Sequence, residues 1–383
     1  MYTIVQRLYA YWFLVFCSVV HAQGYDWAVI GAGPAGIVTV GILLDLGVDP
    51  RTIAWVDPEF MVGRLGQYYT TVPGNTKTKL FIDFINACRT FVASGSPAIE
   101  RLKEYDLEKE CSLRVIVDPL LDITAYLRTL VDSYQQCLKA LTCSEGKWHA
   151  SLARGELEAQ HVVLALGAHP KSLHYTEPDR ELSLDIALQK QCLSHYVSPS
   201  DTIAVVGSAH SAVLVMKFLS ELPAGRIINL YTKSLQYAVD LGSWTLNASL
   251  GLKGIAAEWA RTVLEKQPPA NLIRLLNTPE ARAAWLPICT KIIYAAGYER
   301  NELPSINNES IAISYDETSG VIAPRLFGIG IAFPELHTDT LGNSEYRIGL
   351  NSFMEYARRV VPHWIAYKKD FAKFVDLFDI MVL

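Results

Sequence analysis

A two-domain α/β fold, each domain a parallel sheet between helical layers, is predicted by three features of the chain. The stretch YDWAVIGAGPAGIVTVGILLDLG runs from an apolar strand at Trp27–Ile30 through Gly31, Gly33 and Gly36 into a helical pattern. A second strand–glycine–helix stretch, VVGSAHSAVLVMKFL, lies at Val205–Leu219. Two further apolar strands end alike, at Ala165-Leu166-Gly167 and Ala295-Ala296-Gly297. The 383 residues suffice for two domains, and a 50% hydrophobic content provides their cores. A net charge of −5 gives no basic stripe, which argues against a nucleic-acid partner.

The chain begins with Arg7, an apolar run from Leu8 to Val20, and then Val20-His21-Ala22. That charged–apolar–small order predicts a secretory signal cut after Ala22, hence a secreted or periplasmic mature chain. A first strand or a membrane anchor is the alternative, although the run is short of a span. Cys17 follows the bulky Phe16, which disfavours a lipid-attachment reading. If the signal leaves, six of the seven cysteines remain: Cys88, Cys111, Cys137, Cys143, Cys192 and Cys289. Their scatter favours buried thiols over disulfides, and no pair has Cys-x-x-Cys spacing.

The uncharged run between Asp26 and Asp45 invites a membrane reading, but its four glycines and Pro34 indicate a buried strand, a turn and a helix start. In the Gly-x-Gly-x-x-Gly pattern, Gly31 makes the tight turn, Gly33 admits a pyrophosphate, and Gly36 lets helix and strand pack closely. Pro34 and Ala35 open the helix, whose free N–H groups face the phosphates. The strand TIAWVD then ends in Asp57, an acid about 20 residues on, where a ribose hydroxyl partner is expected.

Next come a loop with paired tyrosines, EFMVGRLGQYYTTVPGNTKTKLFIDF, and a charged stretch read as helical, ERLKEYDLEKE. LTCSEGKWHASLARGELEAQHVVLALGAHP reads as an antiparallel meander, with turns at Glu145-Gly146 and Arg154-Gly155 and a final strand stopped by Gly167. In the second glycine loop Gly207 keeps the tight turn, Ala209 replaces the second glycine, and Ala212 holds the third position, which tolerates alanine. Ser208 and Ser211 offer hydroxyls, and His210 a phosphate contact when protonated or else a surface role. The following strand, RIINLYTKS, reaches Lys233 rather than an acid, which favours NADPH over NADH; a solvated strand end is the alternative. Gly251–Glu280 reads as helices broken by Pro-Pro, lying over the cleft, with Trp259 in the core.

This layout resembles the two-dinucleotide-binding-domain flavoproteins of the glutathione-reductase-like class, over nearly the whole mature chain. The resemblance implies FAD on the first glycine loop and NADP (or NAD) on the second, with Gly167 and Gly297 closing the respective strands. It implies an FAD-binding part at 23–175, an inserted NAD(P) domain at 176–290, and a returning FAD part with C-terminal helices at 291–383.

Three reactions compete within the class. Disulfide reduction needs a close-set dithiol, which the spacing does not provide. The flavin-containing and N-hydroxylating monooxygenases are similar in YYTTVPGNTKTKLFIDF, where Asn75 matches a flavin-facing asparagine; Pro73-Gly74-Asn75 also reads as a plain turn. The Phe-x-Gly-x-x-x-His signature of the former is absent, and Gly-Ser-Ala-His-Ser-Ala is closer to the N-hydroxylating form. A dehydrogenase serving another acceptor is the third, and a non-catalytic FAD protein remains open. Gly349, Leu350 and Asn351 open a helix aimed at the flavin, with Asn351 a possible cap. His337 is a candidate proton donor beside the flavin or else a solvated loop histidine. No metal spacing is present, and FAKFVDLFDIMVL reads as an amphipathic closing helix. The expected partner is a small-molecule substrate.

Overall fold

The computed structural model describes residues 23–242, 244–307 and 314–367. The signal-like segment and the C-terminal FAKFVDLFDIMVL lie outside these residues. No described helix is long and apolar enough to cross a membrane.

The larger sheet has nine strands. Its centre is Gln23–Ile30, flanked in parallel by Ile53–Val56 on one side and Glu156–Leu164 on the other. Trp27 to Ile30 are buried, as an all-parallel sheet centre requires. The meander forms as expected from Leu138–Ser144, Lys147–Leu152 and Glu156–Leu164. Its turns use positive φ at Glu145, Gly146 and Gly155. Glu156–Leu164 belongs to both parts. Its first half pairs antiparallel with Lys147–Leu152, and its second half pairs parallel with Leu326–Gly328. The meander is thereby fixed to the edge of the glycine-loop strand.

The smaller sheet is parallel, in the order Leu272–Leu276, Arg226–Tyr231, Thr202–Val206, Lys291–Tyr294. Two expectations change here. The inserted domain does not end at 290, because Lys291–Tyr294 pairs with Thr202–Val206 through Ile203↔Lys291 to Val206↔Tyr294. The boundary falls near Tyr298–Arg300, which pairs antiparallel with Ala168–Pro170 where the chain first left the larger domain. Nor is Gly251–Glu280 all helix. Gly254–Trp259 is helical, but the residues beyond Pro269 form the edge strand Leu272–Leu276, paired with Arg226–Tyr231. Trp259 is core, at 8% exposure.

A third difference lies at ERLKEYDLEKE. Its helix, Pro97–Leu102, stops early, and the chain then turns so that the Leu107 and Lys109 carbonyls accept the N–H groups of Lys79 and Thr78. The long helix of this region is instead Arg114–Leu130. It packs Ile116, Leu120, Ile123 and Leu127 into the core under the larger sheet.

Candidate functional site

The first glycine loop is held by atoms that leave no room for a side chain. The Gly31 N–H donates to the Val56 carbonyl at 2.7 Å, and the Gly31 carbonyl accepts the Trp55 indole N–H at 2.9 Å. A Cβ on Gly31 would stand 2.3 Å from the Ala165 carbonyl oxygen, and one on Gly36 would stand 1.9 Å from the Gly31 oxygen. Gly33 differs: a Cβ there would meet nothing within 4 Å. Its φ of −73° suits any residue, so the protein itself makes no demand for glycine at this position. The open space is where a ligand's phosphates would pass, directly before the N-terminus of helix Pro34–Asp45.

Asp57 braces this cradle. Its carboxylate accepts the Ala32 N–H at 2.7 Å and the N–H groups of Glu59 and Phe60 at 2.8 and 2.6 Å. The loop it anchors carries Phe60 and Val62 at positive φ. It brings Gly63 over the glycine loop, so close that a Cβ on Gly63 would lie 3.1 Å from the Gly33 Cα.

Gly31, Gly33, Pro34 and Asp57 line one part of a cleft of about 810 Å³. Gly167 and Asn75 line it further along, and so do Gly349, Leu350 and Asn351. The volume is within the range of cofactor and ligand sites. Ala35 and Gly36 lie behind the lining, buried at the helix start. Asn75 sits in the strand Pro73–Lys77, paired with Glu110–Ser112, so the turn alternative gives way to a strand. Its Oδ1 accepts the Thr76 hydroxyl at 3.2 Å. Helix Leu350–Ile365 is capped by Gly349, with φ of 142° and no side-chain cap bond, so Asn351 is not the cap. Gly167, at φ of 73°, is held by Asn301, whose N–H donates to the Gly167 carbonyl and whose amide donates to the Leu166 carbonyl at 2.8 Å.

The second glycine loop repeats the frame of the first. The Gly207 N–H donates to the Leu230 carbonyl at 2.8 Å. Its carbonyl accepts the Asn229 amide at 2.8 Å, and a Cβ on it would lie 2.2 Å from the Ala295 oxygen. Ala209 caps helix His210–Ser220 and is exposed. Gly207, Ser208, His210 and Ser211 lie outside the lining of the large cleft, as do Lys233 and Gly297. Lys233 is exposed beyond the end of Arg226–Tyr231, and Gly297 is exposed at φ of 98°.

One expectation fails on geometry. His337 is exposed on the strand Glu335–Thr338, paired with Glu345, and does not line the cleft, so it is not placed to pass a proton there. Burial, with Lys253 nearby, pushes His210 down to about 4, which disfavours its protonated form, and its Nδ1 has no hydrogen-bond partner among the described residues.

A hydrogen-bonded chain that sequence reasoning missed joins the two domains across the cleft wall. Tyr298, whose phenol lies close to Ser211 of the second loop, donates to the Tyr69 phenol at 3.2 Å. Tyr69 donates to Asp185 Oδ1 at 2.6 Å, and Arg64 pairs with Asp185 Oδ2. Burial, followed by the neighbouring Tyr298 and Asp185, raises the Tyr69 phenol well above its usual range, so it stays a donor. The adjacent tyrosines Tyr68 and Tyr69 were the visible trace, but Asp185, 116 residues further along, carries no local signature.

No protein-family model matches the chain. A monooxygenase of Paecilomyces divaricatus, AgnR1, is 31% identical over 384 residues, covering 88% of this chain and 97% of its own. The Kutzneria sp. 744 ornithine N-hydroxylase, solved with reduced FAD, NADP+ and L-ornithine, superposes with a TM-score of 0.62 over 91% of this chain and 100% of its own, at 12% identity. The bacillithiol disulfide reductase of Staphylococcus aureus superposes with 0.61 over 91% and 100%, at 10% identity. Enzymes of two chemistries share the fold equally, so the superpositions establish architecture and the sequence relative establishes kinship. The chain is a two-dinucleotide-binding-domain flavoprotein and belongs to the family of the monooxygenase AgnR1.

Proposed function

We propose that the protein is an FAD-dependent, NADPH-linked monooxygenase acting on a small organic substrate. The observation that carries this reading is the lining of the large cleft. The first glycine loop forms one part, and Tyr298 and Lys253 of the second domain close another, with the Asn75 amide also on the wall. Among the described residues Cys137 is the cleft's single thiol, and it is free, so dithiol exchange has no second sulfur there.

FAD, when bound, supplies the two-electron chemistry that links NADPH to oxygen. The residues divide the remaining work. The N–H groups opening Pro34–Asp45 meet the pyrophosphate, and Oδ2 of Asp57, which accepts only the Ala32 N–H, keeps one lone pair for a ribose hydroxyl. The N-terminus of Leu350–Ile365, at Gly349 to Asn351, offers donors and a partial positive charge to the ring end. Asn75 offers a neutral amide that orients oxygen or substrate without taking a proton. Leu80, Phe81 and Leu113 add an apolar lining that keeps water out. Ser208 and Ser211 receive the nicotinamide dinucleotide, and Lys233 reads its 2′-phosphate. The Tyr298–Tyr69–Asp185 chain, with Ser211 beside Tyr298, keeps the two domains in register along the cleft wall.

The test uses purified protein. It should be yellow, lose its colour with NADPH under argon, and then consume oxygen and NADPH in a 1:1 ratio when a hydroxylatable substrate is present. Yellow protein bleached by neither NADPH nor NADH would overturn the reading. Bleaching followed by turnover with a quinone but not with oxygen would point to a dehydrogenase.

Export belongs to the same proposal. Cleavage after Ala22 would leave the described strand Gln23–Ile30 intact. An intact mass that retains Met1 or Tyr2 on soluble, yellow protein would end the export part and leave the chemistry standing.

A further inference from the structure

Three cationic side chains line the large cleft: Arg64, Lys253 and Arg347. Two are neutralised. Arg64 pairs with Asp185, and Arg347 pairs with Glu335 and Glu355. Lys253 has no ion-pair partner among the described residues. Its ammonium donates to the Ala248 carbonyl, which leaves two of its three N–H groups without a named acceptor. Glu345, the one carboxylate whose field supports its charge, is already occupied by the Ser249 N–H at 3.1 and 3.2 Å. Burial pushes the ammonium below its usual range. A half-buried cation on the wall of a cleft is costly unless something negative comes to meet it.

The position of Lys253 shows which ligand that is. Helix Gly254–Trp259, directly after Lys253, packs on the strand Pro73–Lys77 that carries Asn75. A Cβ on Gly254 would lie 3.3 Å from Glu110, on the strand paired with it. Lys253 thus belongs with the Asn75 wall, away from the glycine loop that receives the FAD pyrophosphate. The second glycine loop does not line this cleft, although Lys253 lies near enough to its His210 to depress that ring, so NADPH affinity is the readout that separates a substrate anion from a dinucleotide phosphate. His210, held neutral nearby, does not compete for an anion.

We propose that Lys253 is a specificity-determining residue that receives an anionic oxygen of the substrate, so that the substrates are organic acids or ionised phenols. This rests on the monooxygenase reading of the same cleft.

Benzoate and its neutral isostere benzamide are the probes, titrated into the yellow holoenzyme while the visible flavin spectrum is followed. Wild type should bind benzoate at least about tenfold more tightly than benzamide. Lys253→Met should erase that preference, Lys253→Arg should retain it, and NADPH affinity should stay the same in all three. Equal binding of the two probes by wild type overturns the proposal, and needs no variant. So does a Met variant that keeps the preference, or one that loses NADPH affinity instead, which would assign Lys253 to the dinucleotide. The probes' shifts of the melting temperature give the same comparison without flavin. A colourless preparation would therefore break the flavin reading while this inference is still decided.

Discussion

The two glycine loops are built on one plan and differ where a ligand would touch them. Gly31 and Gly207 both donate to the neighbouring strand's carbonyl, at 2.7 and 2.8 Å. Both have their own carbonyl held by a side chain of that strand, Trp55 in one and Asn229 in the other. Both lie against the carbonyl of the alanine that ends the opposite strand, Ala165 and Ala295. The differences come next in the chain. Gly33, Pro34 and Asp57 of the first loop are answered by Ala209, His210 and Tyr231 in the second, with Lys233 two residues further on. A glycine fingerprint therefore mixes two requirements: one made by the protein's own backbone, the other made only by the ligand.

The shared requirement predicts the largest effect. Gly31→Ala and Gly207→Ala should each destabilise the fold by about 3 kcal/mol or more, since the added Cβ strikes backbone at 2.3 or 2.2 Å and both residues have positive φ. Thermal melts of the two variants measure it. If Gly207→Ala melts like wild type while Gly31→Ala does not, the loops are not structurally equivalent.

The ligand-only requirement predicts a different kind of loss. Gly33→Trp should fold, because nothing lies within 4 Å of its Cβ, and yet emerge colourless, with bound FAD down by about tenfold or more. A folded variant with full visible absorbance would show that the cofactor does not cross Gly33.

The same division explains what was legible in the sequence. Gly31, Gly36 and Gly207 stand at fixed spacings between a strand and a helix, a pattern local in the chain, and the strands and helices around them form as read. So does the meander, because Glu145-Gly146 and Gly155 carry the positive φ its turns need. The strand Leu272–Leu276 was hidden because Leu-Ile-Arg-Leu-Leu suits a helix equally, and only its pairing with Arg226–Tyr231 decides. The boundary at 290 cut off the strand that Ala295-Ala296-Gly297 closes, and the pairing of Lys291–Tyr294 with Thr202–Val206 returns it to the smaller sheet. In the site, Gly33, Asp57 and Asn75 were visible as motif members. Asn301 and Asp185 were not, because they act on Leu166 and Tyr69, 135 and 116 residues away, and Asn229 and Lys253 were not, because they belong to no motif. His337 was overvalued, since its titration range suits a proton donor but its exposed strand keeps it out of the cleft.

The first loop's strand ends in the acid Asp57, whereas the second runs past Tyr231 to a lysine, Lys233, and this difference predicts a smaller effect. Lys233→Ala should weaken NADPH roughly tenfold, about 1.4 kcal/mol, and leave NADH unchanged, because a single exposed charge on a phosphate is worth about that much. Stopped-flow reduction of the flavin at varied NADPH and NADH gives both affinities. Equal losses for the two cofactors would show that Lys233 does not distinguish them.

Pro34 against His210 gives the last and smallest. The first loop has no titrating group at this position, whereas His210 is held to about 4 by burial and by the charge of Lys253, against an ordinary value of 6.5. Its proton is bound more readily by the unfolded chain. Stability therefore rises with pH wherever the unfolded state carries the extra proton, which is the window from about 4 to 6.5. Above 6.5 the ring is neutral in both states and contributes no slope; below 4 it is charged in both, and the loss is complete. His210 as a residue is only partly buried, so the loss across the window should be about 1 kcal/mol rather than the full shift. His210→Gln should flatten that part of the profile, and Lys253→Met should shrink it by removing one of its two causes. Urea melts from pH 4 to 8 on the three proteins measure it. A wild-type slope that persists undiminished in His210→Gln would mean that other groups set the acid limb and that the second loop, like the first, carries no titrating residue of consequence.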